Sequence, residues 1–294
     1  DGPRGVVTTA SYEARPFGCR SAMPMAEAKR RCPQAIVVPV PGQRVREMSA
    51  KLFDVLHRFS PLVEAMSVDE AFVDLTGTQR LLGPPPETAK RILATIHDEL
   101  GLTASGGLAP NKFLAKLASD ENKPNGLTLV PFDDPAGWLA PKPISRMWGI
   151  GRVGERRMLE RGISTIGDLQ NAGEQWMADW FGNDAEHYRR LSRGIDDRPV
   201  VPEHEAKSIG HEQTFGENLT HPDHVRSVML DQSEQVGWRL RRHGFKAGRV
   251  TVKIRFGQFQ TITRSRTLGR HTDVTGEIWK AARELFDEWA GRSF

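Results

Sequence analysis

The densest chemistry in the sequence lies at Ser67-Val68-Asp69-Glu70-Ala71-Phe72, where two carboxylates stand side by side. On a regular strand adjacent side chains face opposite ways, so neighbouring acids cannot share one ion. At a hairpin apex the backbone twists, and both can reach a common divalent cation; magnesium is commonly held by one or two carboxylates together with substrate phosphates. An Asp-Glu pair in a turn is also, more often than not, simply solvated. Tyr12 and Arg15 in Ser11-Tyr12-Glu13-Ala14-Arg15 place a hydroxyl and a guanidinium three residues apart, suited to phosphate oxygens. The plain alternative is a surface loop. Lys112 and Lys116 are one helical turn apart, and Lys123 precedes a Pro-Asn-Gly turn that would hold its backbone as a fixed point charge. Gly149-Ile150-Gly151-Arg152-Val153-Gly154 formally matches a dinucleotide fingerprint, but no strand precedes it. A helix-hairpin-helix, whose glycines let backbone amides approach a DNA phosphate, fits better.

These residues need elements to hold them. Val6–Ala10 reads as a strand and Ser21–Arg31 as a helix with Pro24 in its first turn. Met48–Phe59 reads as a helix; Val63–Val68 and Ala71–Leu75 form a hairpin with Asp69 and Glu70 at its apex. Helices follow at Glu87–Leu100 and from Asn111 to about Glu121, the second with Leu114 and Leu117 on its apolar side. From Pro131 to Asp197 the chain is helical. Ser164-Thr165-Ile166-Gly167-Asp168 has the form of a capped helix start. The proline- and charge-rich stretch from Arg198 to Ala206 reads as a linker. Beyond it come a strand at Ser208–Phe215, a long helix at Pro222–His243, strands at Arg249–Phe256 and Gln258–Leu268, and a helix at Thr275–Trp289.

The chain has 294 residues, 38% hydrophobic and 27% charged, which argues against dominant disorder. Its apolar runs are far shorter than the ~20 residues of a membrane-spanning helix. Cys19 and Cys32 are the only cysteines, too few for a disulfide scaffold or a thiolate zinc site, and they suit a reducing compartment. The net charge of +4 hides a segregation. Between Gly237 and Arg270 lie ten Lys and Arg residues and no acid, so the remainder carries −6. Such a block reads as a surface for a polyanion, most often nucleic acid, with a solvated basic face as the plain alternative. In the strand Val250–Phe256 the apolar residues share one face, and Thr251, Lys253 and Arg255 the other.

Taken together and in this order, the motifs resemble the Y-family translesion DNA polymerases, DinB branch, over essentially the whole sequence. Gly5-Val6-Val7 to Met23-Pro24 is similar to the fingers motif, Ser67–Phe72 to the catalytic carboxylate hairpin, and Asn111–Gly126 to the palm helix with its lysine turn. Gly149–Leu169 is similar to the thumb hairpin and Ser208–Leu268 to the little finger. The resemblance implies an α+β, multidomain right-hand polymerase. Fingers would occupy residues 1–41, a ferredoxin-like palm 42–130, a helix-hairpin-helix thumb 131–197, a linker 198–206 and an α/β little finger 207–294. It further implies that Asp69 and Glu70 bind catalytic metal, two Mg2+ ions, and that Tyr12, Arg15 and Lys123 grip the triphosphate with Thr9 in a lesser role. Val6 and Thr8 would roof the nascent base pair. Gly149, Gly151, Arg152, Lys253, Arg255, Arg264 and Arg266 would meet DNA. The implied reaction is low-fidelity, template-directed nucleotidyl transfer from dNTP to a primer 3′-OH with pyrophosphate release.

The family pattern carries a further metal-binding Asp on an earlier strand, and here only Asp1 lies so far upstream. The chain also stops at Arg292-Ser293-Phe294, before the expected last strand and clamp-binding peptide. The sequence is therefore expected to be an internal fragment, one that binds DNA better than it catalyses. The implied partners are primer-template DNA, dNTP and, for the full-length protein, a sliding clamp; the expected setting is a monomer in a prokaryotic cytoplasm, associated with the nucleoid. Two rivals remain: a catalytically inactive relative acting as a scaffold, against which Asp69, Glu70 and Lys123 are all present, and a helix-hairpin-helix glycosylase using Asp168. If about five cations of the basic block contact phosphates, log K for DNA falls against log salt with a slope near −4 to −5, measurable by titration across salt concentrations.

Overall fold

The computed structural model describes residues 4–203 and 205–290. Asp1 and Arg292-Ser293-Phe294, noted above, lie outside them. The chain divides into two compact units, Asp1–Val40 with Glu205–Phe294, and Pro41–His204. No helix among the described residues is long and apolar enough to cross a membrane.

In the first unit, the opening segment leads to helix α1, Met25–Arg31. The expected strand at Val6–Ala10 is reduced to a single bridge between Val6 and Pro24, with Val7 N–H donating to Met23 O at 2.9 Å and Ala22 N–H to Val7 O at 2.8 Å. The partner segment turns into α1 directly after Pro24, so the ladder cannot extend. Pro24 caps the helix from outside, and the helix begins four residues later than the sequence suggested. Val7, Cys19, Ala28 and Cys32 form a small core, with both thiols free and buried.

The second unit begins with α2, Gly42–His57, which starts earlier than expected. It continues through the hairpin β1, Val63–Ala65, and β2, Ala71–Val73, to α3, Gln79–Leu82, and α4, Pro85–Leu100. Val55, Leu56, Phe59, Val63, Ile92 and Ile96 make its first core. Next comes a β–α–β unit: β3, Gly106–Leu108, α5, Lys112–Ser119, and β4, Leu127–Leu129, with β3 and β4 parallel. Gly107 allows α5 to lie directly on β3, since a Cβ there would stand 2.1 Å from Ala115 O. Asn111 caps α5, its Oδ1 accepting the Leu114 N–H at 3.1 Å, while its Nδ2 donates to Gly194 O at 2.7 Å.

Five short helices follow: α6, Pro135–Leu139, α7, Arg152–Leu159, α8, Ile166–Gln170, α9, Glu174–Phe181, and α10, Ala185–Ser192. Their core is continuous with the inner face of α5: Phe113, Leu114, Leu117 and Ala118 pack with Leu139, Ile144, Met158, Ile166, Leu169 and Leu191. The expected palm–thumb boundary near 131 thus runs through a single apolar core. Truncating fully buried Leu114 to alanine would cost about 2–5 kcal/mol.

The rest of the first unit contains α11, Pro222–Arg242, β5, Ala247–Arg255, β6, Thr261–Thr272, and α12, Thr275–Ala290. β5 and β6 are antiparallel, and Val250 packs with Leu240, Ile278, Leu285 and Phe286 of the helices. The expected strand at Ser208–Phe215 forms no ladder. Side chains hold the segment instead: Arg239 donates to Gly210 O at 2.8 Å and contacts His211, while Lys253 pairs with Glu212.

The expected helix start at Ser164–Asp168 is a capping box: Thr165 Oγ1 accepts the Asp168 N–H at 3.0 Å, and Asp168 Oδ2 accepts the Thr165 N–H at 2.8 Å. The Ser164 and Thr165 backbone N–H groups, followed by the Ser164 hydroxyl, hold the Asp168 carboxyl down at about 2 against an ordinary 3.8. A depressed carboxyl contributes stability above its unfolded value and loses it as pH falls through its folded value. Asp168→Asn is therefore expected to lower the thermal midpoint at neutral pH, with the gap from the parent closing between 3.8 and about 2. Melting curves across pH check this.

Candidate active site and nucleic-acid interface

The carboxylate hairpin is built by three ladder pairs, Val63 with Val73, Glu64 with Phe72 and Ala65 with Ala71. Beyond them the Met66 and Ser67 N–H groups donate to Glu70 O at 2.8 and 3.2 Å, closing a loop that carries Asp69 and Glu70; the strands end at Ala65 and Val73, short of the expected Val68 and Leu75. Ser67 fixes Asp69: its hydroxyl donates to Asp69 Oδ1 at 2.6 Å and accepts the Asp69 N–H at 3.3 Å. Glu70 Oε1 accepts from Lys116 Nζ at 2.6 Å. Asp69 is exposed and Glu70 partly so.

α5 brings a second lysine to the same hairpin. One turn before Lys116, Lys112 Nζ reaches both oxygens of Glu64 at 3.0 and 2.7 Å. Lys123, expected to be a free point charge, is paired with Asp120 Oδ1 at 2.6 Å, and both side chains are substantially exposed. Such a pair is worth little and is readily exchanged for another anion. Glu64 was not singled out in the sequence. Its only signal was the acid inside a strand facing a helix whose charged side repeats every fourth residue.

The expected hairpin of the thumb has Gly149 at φ 93°, where a Cβ would come within 2.6 Å of Tyr188 Oη. Gly151 precedes α7 with open space around it, and no side chain caps the helix. The first amides of α7, next to exposed Arg152, thus have no side-chain cap.

In the first unit, Tyr12 and Arg15 are exposed and adjacent. The Arg15 guanidinium lies 4.0 Å from the Tyr12 ring centroid, and its Nε donates to Ala10 O at 3.2 Å. Val6, Thr8 and Thr9 line the same segment and are exposed.

The β5–β6 pair separates its cations by face. Arg249, Thr251, Lys253 and Arg255 stand opposite Thr267, Ser265, Thr263 and Thr261, giving a polar outer face, with Thr251 and Ser265 hydroxyls 2.9 Å apart. Val250, Val252 and Ile254 face inward, as their alternation indicated. Arg264 and Arg266 alternate onto the face opposite Lys253 and Arg255, where Arg264 remains exposed. Arg266 pairs with Glu284 and Glu288 of α12, so it faces a helix rather than the outer surface on which Lys253 and Arg255 stand. The block free of acids in sequence is not free of them in space, since Lys253 meets Glu212 and Arg270 meets Glu277. Arg249, Arg255 and Arg264 form no ion pair with described residues.

Comparison with known proteins places this arrangement. The impB/mucB/samB family matches residues 1–120, and the C-terminal domain of the same family matches residues 206–293. A DNA polymerase IV of Desulfatibacillum aliphaticivorans is 43% identical over 97% of this chain and 72% of that protein; one from Streptococcus suis is 39% identical over 98% and 81%. Among solved structures, a Y-family DNA polymerase chimera of Dbh and Dpo4 has a TM-score of 0.89 at 25% identity, covering 99% of this chain and 84% of that one. An insertion ternary complex of Dbh DNA polymerase has a TM-score of 0.66 at 26% identity, covering 99% and 83%. The fold is that of a Y-family DNA polymerase. Within that class the chain belongs to the DNA polymerase IV, DinB-type, family.

Each phosphate contact adds about −0.9 to the salt slope of DNA binding. Arg255→Ala is expected to flatten the slope by about that amount, whereas Arg266→Ala, which strips a partner from α12, lowers the thermal midpoint and changes the slope less. Salt titrations and melts of both variants check the assignment.

Proposed function

We propose that the reaction of this family, template-directed DNA synthesis across damaged template, is carried in this chain by the Asp69–Glu70 apex. The observation that supports this most directly is the pairing of that apex with a lysine-bearing helix, with Lys116 Nζ on Glu70 at 2.6 Å. DNA and a nucleotide are the partners. Y-family DNA polymerases are metal-dependent, and the donor set here suits a hard cation. Two carboxylates project from an exposed loop, and among the described residues no group of three or more His, Cys, Asp or Glu gathers there or at any other place. One or two carboxylates, completed by water and phosphate oxygens, is the usual protein share of a magnesium site. Asp69 and Glu70 would hold Mg2+, with two ions as the full complement. When bound, the metal would lower the pKa of the primer hydroxyl and offset charge on the leaving pyrophosphate.

The chain's own groups do the rest. Ser67 holds the Asp69 carboxylate in one orientation by its hydroxyl. Lys116 pairs with Glu70 and offsets its charge beside Asp69. Lys123, paired among the described residues with Asp120, would exchange that acid for a triphosphate oxygen. Tyr12 and Arg15 would contribute a hydroxyl and a forked guanidinium to the same triphosphate, and Thr9 a weaker contact. Val6 and Thr8, exposed beside them, would cover the base pair. Gly149, Gly151 and Arg152 would take a backbone phosphate, and Arg255 and Arg264 others, with Lys253 joining them once a phosphate displaces exposed Glu212. Such contacts position DNA without reading sequence, which suits arbitrary templates. A sliding clamp and a cytoplasmic, nucleoid-associated setting complete the proposal.

Single-nucleotide primer extension with Mg2+ tests the assignment. Asp69→Ala and Glu70→Ala are each expected to lower kcat by about 100-fold or more, while Lys123→Ala raises KM for dNTP more than it lowers kcat. Parent-like extension by either acid variant would overturn it.

A further inference from the structure

One buried ionised group has no part in the chemistry above. Glu64 in β1 is 4% exposed, and its side chain and that of Lys112 are 6% and 11% exposed. Both carboxylate oxygens accept from Lys112 Nζ, and Oε2 also accepts the backbone N–H of Val201 at 2.8 Å. Lys112 Nζ lies 5.5 Å from the ring centroid of Phe72, the ladder partner of Glu64. Phe72 lies 6.3 Å from Trp148, over which the Arg198 guanidinium stands at 4.6 Å. Arg198 in turn holds Asp196, which accepts the Phe113 N–H of α5 at 3.2 Å. Hairpin stem, α5 and residues 196–201 therefore close on one another around a single carboxylate.

A buried ion pair is a weak source of net stability compared with apolar packing of the same volume, but donors arriving from two directions define where the carboxylate sits. The pairs also form two rungs. Lys112 with Glu64 is the enclosed rung at the stem, and Lys116 with Glu70, one helical turn on, is the open rung at the apex. A slip of the first displaces the second.

We propose that Glu64 is a positioning residue: its ionised carboxylate sets the register of α5 against the hairpin, and so the opposition of Lys116 and Glu70, while anchoring the chain at Val201. The effect on turnover rests on the function proposed above; the effect on structure does not.

Amide exchange of the folded protein and primer-extension kinetics, measured on Glu64→Gln, Lys112→Met and Lys112→Arg, test it. In Glu64→Gln and Lys112→Met the amides of Met66, Ser67 and Val201 are expected to lose protection by about tenfold or more, while those of Leu117 and Ala118 in α5 keep theirs. The kcat for incorporation falls by about tenfold or more, because small displacements at a reacting centre are costly, with KM for dNTP changed by less than about twofold. Lys112→Arg, which keeps the charge, retains hairpin protection and most of kcat. If Glu64→Gln does not fold, the two Lys112 variants carry the comparison. A uniform loss of protection across the unit, exposure of Val201 with hairpin amides unchanged, or Lys112→Arg as damaging as Lys112→Met would each overturn the proposal. If the parent protein shows no extension, the exchange pattern alone decides the role of Glu64.

Discussion

Two lysines one turn apart on α5 meet two carboxylates of one hairpin, Lys112 on Glu64 and Lys116 on Glu70, and this sets how far the helix can lie from the hairpin. That constraint shapes the second unit. α5 must lie close enough for Lys116 to reach Glu70, which requires Gly107 beneath it and Asn111 at its start. Its apolar side must be buried to keep it there, and Phe113, Leu114, Leu117 and Ala118 anchor it in the core shared with α6, α7, α8 and α10. The charged side of the same helix faces the hairpin. One eight-residue helix thus joins the packing of the unit to its candidate chemistry, and that double duty explains why one apolar core spans both the expected palm and the expected thumb.

The β5–β6 pair obeys a different logic. Its outward face alternates cations with Thr and Ser, giving hydroxyl and guanidinium donors without apolar surface, and its inward face supplies the core. Cations with acids opposite them, such as Arg266 with Glu284 and Glu288, stabilise the docking of α12. Only the remainder offers charge to a polyanion. Counting cations along the sequence overestimates that remainder, because the compensating acids arrive from Glu212 and from α12.

The legible features were those that depend on local pattern. The hairpin apex, the capping box at Thr165–Asp168, the alternation along β5 and the long helix Pro222–Arg242 each follow from periodicity or from residue types at fixed offsets. What failed depends on a partner. The β-branched run at Val6–Ala10 has strand propensity, but its neighbour bends into α1 after one bridge. Ser208–Phe215 also reads as a strand, but Arg239 and Lys253 hold it by side chains instead of a ladder. Glu64 was invisible for a similar reason: an acid in a three-residue strand acquires meaning only when Lys112 and Val201 are seen to enclose it.

The central claim, that Asp69 and Glu70 form a cation-binding apex facing α5, is tested most directly by adding Mn2+, an oxygen-seeking paramagnetic substitute for Mg2+, to the isotopically labelled protein and mapping which amide signals broaden. The account predicts broadening centred on Ser67 through Glu70, reaching Lys116 across the gap and strengthened by added dNTP. Broadening centred elsewhere, or none near the hairpin at Mn2+ concentrations that support synthesis, would contradict it.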